Sequence, residues 1–253
     1  MTAPSAEARA LSRMLRIGLL LAVLAQLVWS FTPSSSQTQA QVDEQGRALF
    51  EASCSTCHGL NAEGTANGPS LQGAGPASVD FMLSTGRMPL AAPDDQPQRQ
   101  PPAFSGGEVD AIVRYVEQIA PGGPAIPDVD VSRGDLAVGS AVFLNNCAGC
   151  HAAAGIGDSV GGGQIAPDLT PATATEIGEA IRVGPGLMPV FDPNDLSDPD
   201  MDSVAAYVEW LRDNGDDGGV QLGRVGAVAE GLVAFVVGLG LLILVLRLTG
   251  STT

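Results

Sequence analysis

The sequence predicts a mainly α-helical chain made of two tandem copies of one small domain, standing on a C-terminal transmembrane helix. An internal repeat is the first of three observations behind that prediction. Gly46-x-Ala48-x-Phe50 returns as Gly139-x-Ala141-x-Phe143, and Pro69-Ser70-Leu71 returns as Pro167-Asp168-Leu169. Arg87-Met88-Pro89 returns as Leu187-Met188-Pro189, and the segment from Asp110 to Glu117 returns from Asp202 to Glu209. Similar elements in the same order mean that each half is one fold. The second observation is that apolar residues near the end of each half recur at helical spacing. The third is an apolar run from Val225 to Leu246, interrupted only by Glu230 and stopped by Arg247. That run has the length of a bilayer core, and an apolar surface on every side suits lipid better than a small domain.

Read in order, residues 1–40 form a signal peptide or an N-terminal signal-anchor helix. Arg9, Arg13 and Arg16 precede an apolar stretch from Ile17 to Phe31, and a polar stretch follows from Thr32 to Gln41. The sequence leaves both readings open: Thr38-Gln39-Ala40 is an imperfect cleavage site, and the apolar core is short for a membrane span. Residues 41–120 form the first domain, 121–133 a linker, 134–213 the second domain, 214–224 a tether and 225–247 the transmembrane helix. Each domain opens on a short helix and closes on an amphipathic one. Ser105 and Glu108 predict a capping box ahead of Val109, Ile112, Val113, Val116 and Ile119. Ser197 predicts a cap, with Pro199 in the first turn, ahead of Met201, Val204, Ala205, Val208 and Leu211. Two segments break the repeat, from Leu90 to Pro102 and from Gly155 to Gly163, and both read as exposed loops. The basic N-terminus and Arg247 belong on the inner side of the cell membrane, which puts the two domains on its outer side, with one or two passes.

The chemistry lies in Cys54-Ser55-Thr56-Cys57-His58 and Cys147-Ala148-Gly149-Cys150-His151. These motifs hold all 4 cysteines and both histidines of the chain. Cys-x-x-Cys-His is the attachment signature of haem c: two thiols add across the vinyl groups, and the next imidazole binds the iron. A zinc site, a redox dithiol or a disulfide explains the cysteines but leaves both histidines as coincidences. The composition agrees, since aromatics make up only 4% of the chain and a small domain short of large side chains gains apolar bulk from a porphyrin.

No histidine is left for the sixth iron position. Methionine is the usual partner of histidine in electron-transfer haems. Met88 and Met188 occupy matching places in the repeat, each before a proline, which holds the preceding residue extended. The predicted iron ligands are therefore His58, Met88, His151 and Met188, and the predicted covalent anchors are Cys54, Cys57, Cys147 and Cys150. Met82 and Met201 fall in helical stretches and read as packing residues. An iron closed by two protein ligands passes electrons and offers no site for a small-molecule substrate. Pro69 and Pro167 read as carbonyl donors to the far side of each imidazole.

The formal net charge is −16, and all 12 basic residues are arginine. Nucleic-acid binding is excluded by the sign. Docking through a lysine ring is equally closed, so a steered partner presents a basic face or stays beside this chain in one complex.

Together these features resemble the dihaem cytochrome c subunit of the actinobacterial cytochrome bcc complex, a quinol:cytochrome c reductase. The strings that carry the resemblance are Gly68-Pro69-Ser70-Leu71, Ser84-Thr85-Gly86-Arg87-Met88-Pro89, Ala166-Pro167-Asp168-Leu169 and Met188-Pro189. The resemblance implies two class I cytochrome c-like domains and two covalent haem c groups. It also implies membership of a translocase in the respiratory chain. The implied partners are the Rieske iron-sulfur protein, a cytochrome b subunit and a terminal cytochrome c oxidase. Two other classes fit the residues: an electron-accepting subunit of a periplasmic dehydrogenase or of another oxidase, and a dihaem peroxidase.

Overall fold

The computed structural model describes residues 18–22, 35–93, 95–214 and 227–250. The first domain contains α1 (Ser35–Ser53), α2 (Ser55–His58), α3 (Pro76–Ser84) and α4 (Gly106–Ile119). The second contains a 3-10 turn (Val131–Arg133), α5 (Leu136–Asn146), α6 (Ala148–His151), a hairpin of β1 (Asp158–Gly161) and β2 (Gln164–Ala166), α7 (Ala174–Val183) and α8 (Asp198–Asn214). Helix α9 (Ala227–Thr249) follows. Most of the leading apolar stretch, the tether from residue 215 and the start of the apolar run at Val225 lie outside the described residues.

Each domain is organised around a crossing of its first and last long helices, α1 on α4 and α5 on α8. The repeated glycines make the crossing possible. A Cβ on Gly46 would strike the carbonyl oxygen of Ala111, and one on Gly139 would strike that of Ser203. Four residues on in each helix, an aromatic pair locks the approach. Phe50 meets Tyr115 at 5.5 Å between ring centroids and 55°, and Phe143 meets Tyr207 at 5.5 Å and 56°. Such tilted pairs add to burial. Gly46→Val or Gly139→Val should therefore force the helices apart and destabilise the affected domain by about 1–3 kcal/mol, read as a lowered melting temperature.

The cores match as well. In the first domain Phe50, Leu83, Val109, Ile112, Val113 and Val116 are buried together. In the second the set is Phe143, Ile177, Ile181, Met201, Val204, Val208 and Leu211. The expected stripes of the closing helices are thus core, with Ile119 packing at the margin. The expected caps hold: Ser105 and Glu108 form a reciprocal box, and Ser197 Oγ accepts from the Asp200 amide at 3.3 Å.

The fold departs from the sequence reading in four places. Helix α1 begins at Ser35, inside the stretch read as polar, and at 19 residues is longer than the short opening helix expected. The Gly-rich insertion is a β-hairpin rather than a loop. Asp158 pairs with Ala166, and the turn residues Gly162 and Gly163 have φ of 58° and 79°, which suits a two-residue hairpin turn. The linker is fastened at both ends, Ala77 N–H donating to Pro124 O at 3.1 Å and Arg133 Nε to Asp202 at 2.8 Å. The Leu90–Pro102 segment is exposed over much of its length but is anchored near its end. Gln100 N–H donates to Thr85 O at 3.1 Å, and Arg99 crosses to Glu176 of the second domain at 2.5 Å.

Within α9, Gly231–Thr249 is long and apolar enough to cross a membrane. At 1.5 Å per residue those 19 residues reach about 29 Å, a bilayer core. None of this stretch is buried against the rest of the chain.

Candidate haem-binding sites

Both Cys-x-x-Cys-His motifs adopt one backbone geometry. The incoming helix does not continue through the motif; it breaks at the first cysteine. Cys54 has φ −119° and ψ −36°, and Cys147 has φ −114° and ψ −39°. A single new turn follows, capped by Cys54 O, which accepts from Cys57 N–H at 3.1 Å and His58 N–H at 2.9 Å. Cys147 O accepts from Cys150 at 3.0 Å and His151 at 2.9 Å. That turn brings two thiols and an imidazole into one short segment. All four thiols are free of disulfides. Burial, followed by the neighbouring cysteine, pushes the first thiol of each motif up to about 11.

The imidazoles are held by the carbonyls the sequence singled out. His58 Nδ1 lies 2.8 Å from Pro69 O, and His151 Nδ1 lies 2.9 Å from Pro167 O. A carbonyl only accepts, so the proton sits on Nδ1 and the lone pair on Nε2, as metal ligation by Nε2 needs. His151 is buried, and desolvation lowers its pKa, partly offset by the bond to Pro167. A neutral ring is the metal-binding form.

Each Met-Pro methionine packs on the core of its own repeat. Cys54, Leu71 and Met88 pack on the first core; Cys147, Leu169 and Met188 pack on the second. Each core thus gathers a haem-motif cysteine, the leucine of the proline loop and the Met-Pro methionine of its own repeat. Met82 lies in α3 and is half-buried. Met201 is 1% exposed inside the second core. Among the described residues, no three His, Cys, Asp or Glu side chains converge on a metal-ion cage, so the cysteines do not pool into a zinc site.

Sequence reasoning missed two buried polar atoms in the segment leading to Met88. Ser84 Oγ and Arg87 Nη1 are buried with no hydrogen-bond partner among the described residues. The Arg87 guanidinium lies over the Phe81 ring at 4.7 Å. The only sequence signal was that Arg87 stands where the second repeat has Leu187.

The chain is similar to known cytochromes in both halves. The family profile described as Cytochrome c matches residues 44–120. That of cytochrome c oxidase, cbb3-type, subunit III matches residues 134–208. The cytochrome bc1 complex cytochrome c subunit of Corynebacterium diphtheriae is 36% identical, covering 89% of this chain and 88% of the relative. Its counterpart from Mycobacterium tuberculosis strain H37Rv is 39% identical over 77% of this chain and 72% of the relative. The cbb3-type cytochrome c oxidase subunit CcoP of Cereibacter sphaeroides is 29% identical over 66% of this chain. Two cytochrome c domains fit two covalently bound haem c groups, and the free thiols, Nδ1-protonated imidazoles and orphaned Arg87 suit them. Identity of 36–39% to these subunits over most of both chains shows that this chain belongs to the family of cytochrome c subunits of the cytochrome bc1 complex.

Proposed function

We propose that this chain takes electrons from a Rieske iron-sulfur protein and passes them, through its two domains, to a terminal cytochrome c oxidase. Family membership makes it an electron-transfer subunit of a respiratory quinol:cytochrome c reductase, an oxidoreductase with further subunits. The finer reading adds the Rieske protein and cytochrome b as neighbours and makes the assembly a translocase. The observation that carries it is duplication in register: histidine, its carbonyl partner and the Met-Pro methionine recur in both domains.

Bound haem c supplies one-electron chemistry. The protein's part is to hold and tune it. Cys54, Cys57, Cys147 and Cys150 anchor the two porphyrin edges. His58 and His151 present Nε2, and the carbonyls of Pro69 and Pro167 fix the rings and raise their basicity. Met88 and Met188 would offer their thioether sulfurs to the bound haems and keep small ligands out. Arg87, whose Nη1 is buried without a hydrogen-bond partner, would be available to a haem propionate. In this reading the α9 helix would hold the domains at the membrane, and Arg247 in its last turn supports an outer-side position for them.

Purification of the full-length chain from mild-detergent membranes by a C-terminal tag tests this reading. Cytochrome b, a Rieske protein and oxidase subunits should co-purify. A second reading, an oxidase subunit outside any bc1 complex, draws on the family matched by residues 134–208. Oxidase subunits without cytochrome b would favour it, and a dehydrogenase without cytochrome b would overturn both.

A further inference from the structure

The two domains meet where α3 packs on α7, and the seam is built from charged side chains. Glu179 lies within it, 0% exposed. No N–H or O–H among the described residues reaches either of its carboxylate oxygens. The charged groups beside it are carboxyl groups too, Asp80 on α3 foremost and then Glu176. Two carboxyl groups form a hydrogen bond only when one of them keeps a proton.

Among the described residues no arginine hydrogen-bonds Glu179, and the buried Nε of Arg114 on the neighbouring α4 is likewise without a partner. Arg99 is committed to Glu176, with Nη2 and Oε2 at 2.5 Å. Arg87 rests on Phe81, with Nη1 making no hydrogen bond. On the remaining faces of α7, Arg182 donates to Asp198 at 2.6 Å and to the carbonyls of Phe191 and Leu196. Asp128, Asp130 and Asp202 all face Arg133. An ionised Glu179 would be a buried charge with no hydrogen bond, which is strongly unfavourable. Burial, then Asp80, then Glu176 push its carboxyl group up to about 10.

We propose that Asp80 and Glu179 form a carboxyl pair that binds one proton in the seam between the two domains, and that its hold on the proton depends on the redox state of the neighbouring haems. The second part rests on the reading in which each domain carries a haem; the first does not. Arg87, which faces Glu176 across the seam, immediately precedes Met88, so the seam adjoins the first haem site. An electron added there makes the surroundings more negative and tightens proton binding. Where the pair has lost its proton, reduction places one electron on iron and draws one proton from water onto Glu179. At neutral pH the proton is held in both redox states and electron transfer is uncoupled from it. As pH rises through the range in which Glu179 ionises, the midpoint potential falls.

Infrared spectroscopy and redox titration of the purified full-length protein test this. A neutral-carboxyl C=O band should be present at neutral pH and fade as pH is raised through about 10. It should be absent in Glu179→Gln and displaced in Asp80→Asn. One haem potential should fall with alkaline pH in the parent protein and stay flat in Glu179→Gln. No such band, a band unchanged in Glu179→Gln, or one unmoved in Asp80→Asn would overturn the pair. Equal pH dependence in parent and Glu179→Gln would overturn the redox link. A protein lacking haem gives no redox titration, which marks failure of the haem reading while the infrared arm still reports on the pair.

Discussion

Replacing Cys147 and Cys150 together by alanine is expected to halve the covalent haem of the purified chain and to unfold the second domain while sparing the first. Each domain is held around its own core, with Phe143, Met201 and Val204 in the second and Phe50, Ile112 and Val116 in the first. Cys147 and Met188 pack on the second core and Cys54 and Met88 on the first, so the porphyrin in each domain adjoins the residues that hold its helices together. Domains of this size bury little apolar surface, and losing a large apolar group removes much of what stabilises them. Haem staining after denaturing electrophoresis, with protease sensitivity mapped by domain, reads both effects. The Cys54→Ala, Cys57→Ala pair should give the mirror result. Full haem content in either double variant would contradict the assignment of the anchors.

Met88→Ala and Met188→Ala are expected to leave the polypeptide and its covalent haem in place but to open the iron and slow electron flow. Each methionine is part-buried at the edge of its core, so truncation costs moderate stability rather than the fold. The reduced variants should bind carbon monoxide at the opened haem, which the parent protein should not. Methionine ligation raises haem potential, so its loss makes that haem a poorer acceptor. Loss of ~1.4 kcal/mol of driving force already shifts the electron equilibrium about tenfold, and quinol-driven oxygen consumption should fall by at least about that factor. Unchanged flux and no carbon monoxide binding in both variants would show that other residues close the irons.

Much of this was legible in the sequence because the signals were local or repeated. The Ser105–Glu108 capping box, the apolar stripes of α4 and α8 and the proline carbonyls on each imidazole follow from short-range pattern and from duplication. The repeat also flagged Gly46 and Gly139 by position, though not their reason, which is a helix crossing that only tertiary structure reveals. The hairpin at Asp158–Ala166 was lost among glycines, since Gly162 and Gly163 read equally well as a loop. The break at Cys54 and Cys147 leaves no compositional mark, because cysteine carries no strong helix-stopping preference. The seam was least legible of all. Arg99 and Glu176 stand 77 residues apart, and nothing in either local sequence announces that a loop of one domain reaches a helix cap of the other.

The most direct test of the electron-transfer role is rapid mixing of the isolated native complex with a reduced quinol, following c-type haem absorbance before and after oxygen is admitted. Both haems should be reduced through the quinol-oxidising subunits and reoxidised on oxygen addition, at rates sufficient to carry steady-state respiration. Haems that stay oxidised while quinol oxidation and oxygen consumption proceed would place this chain outside the path.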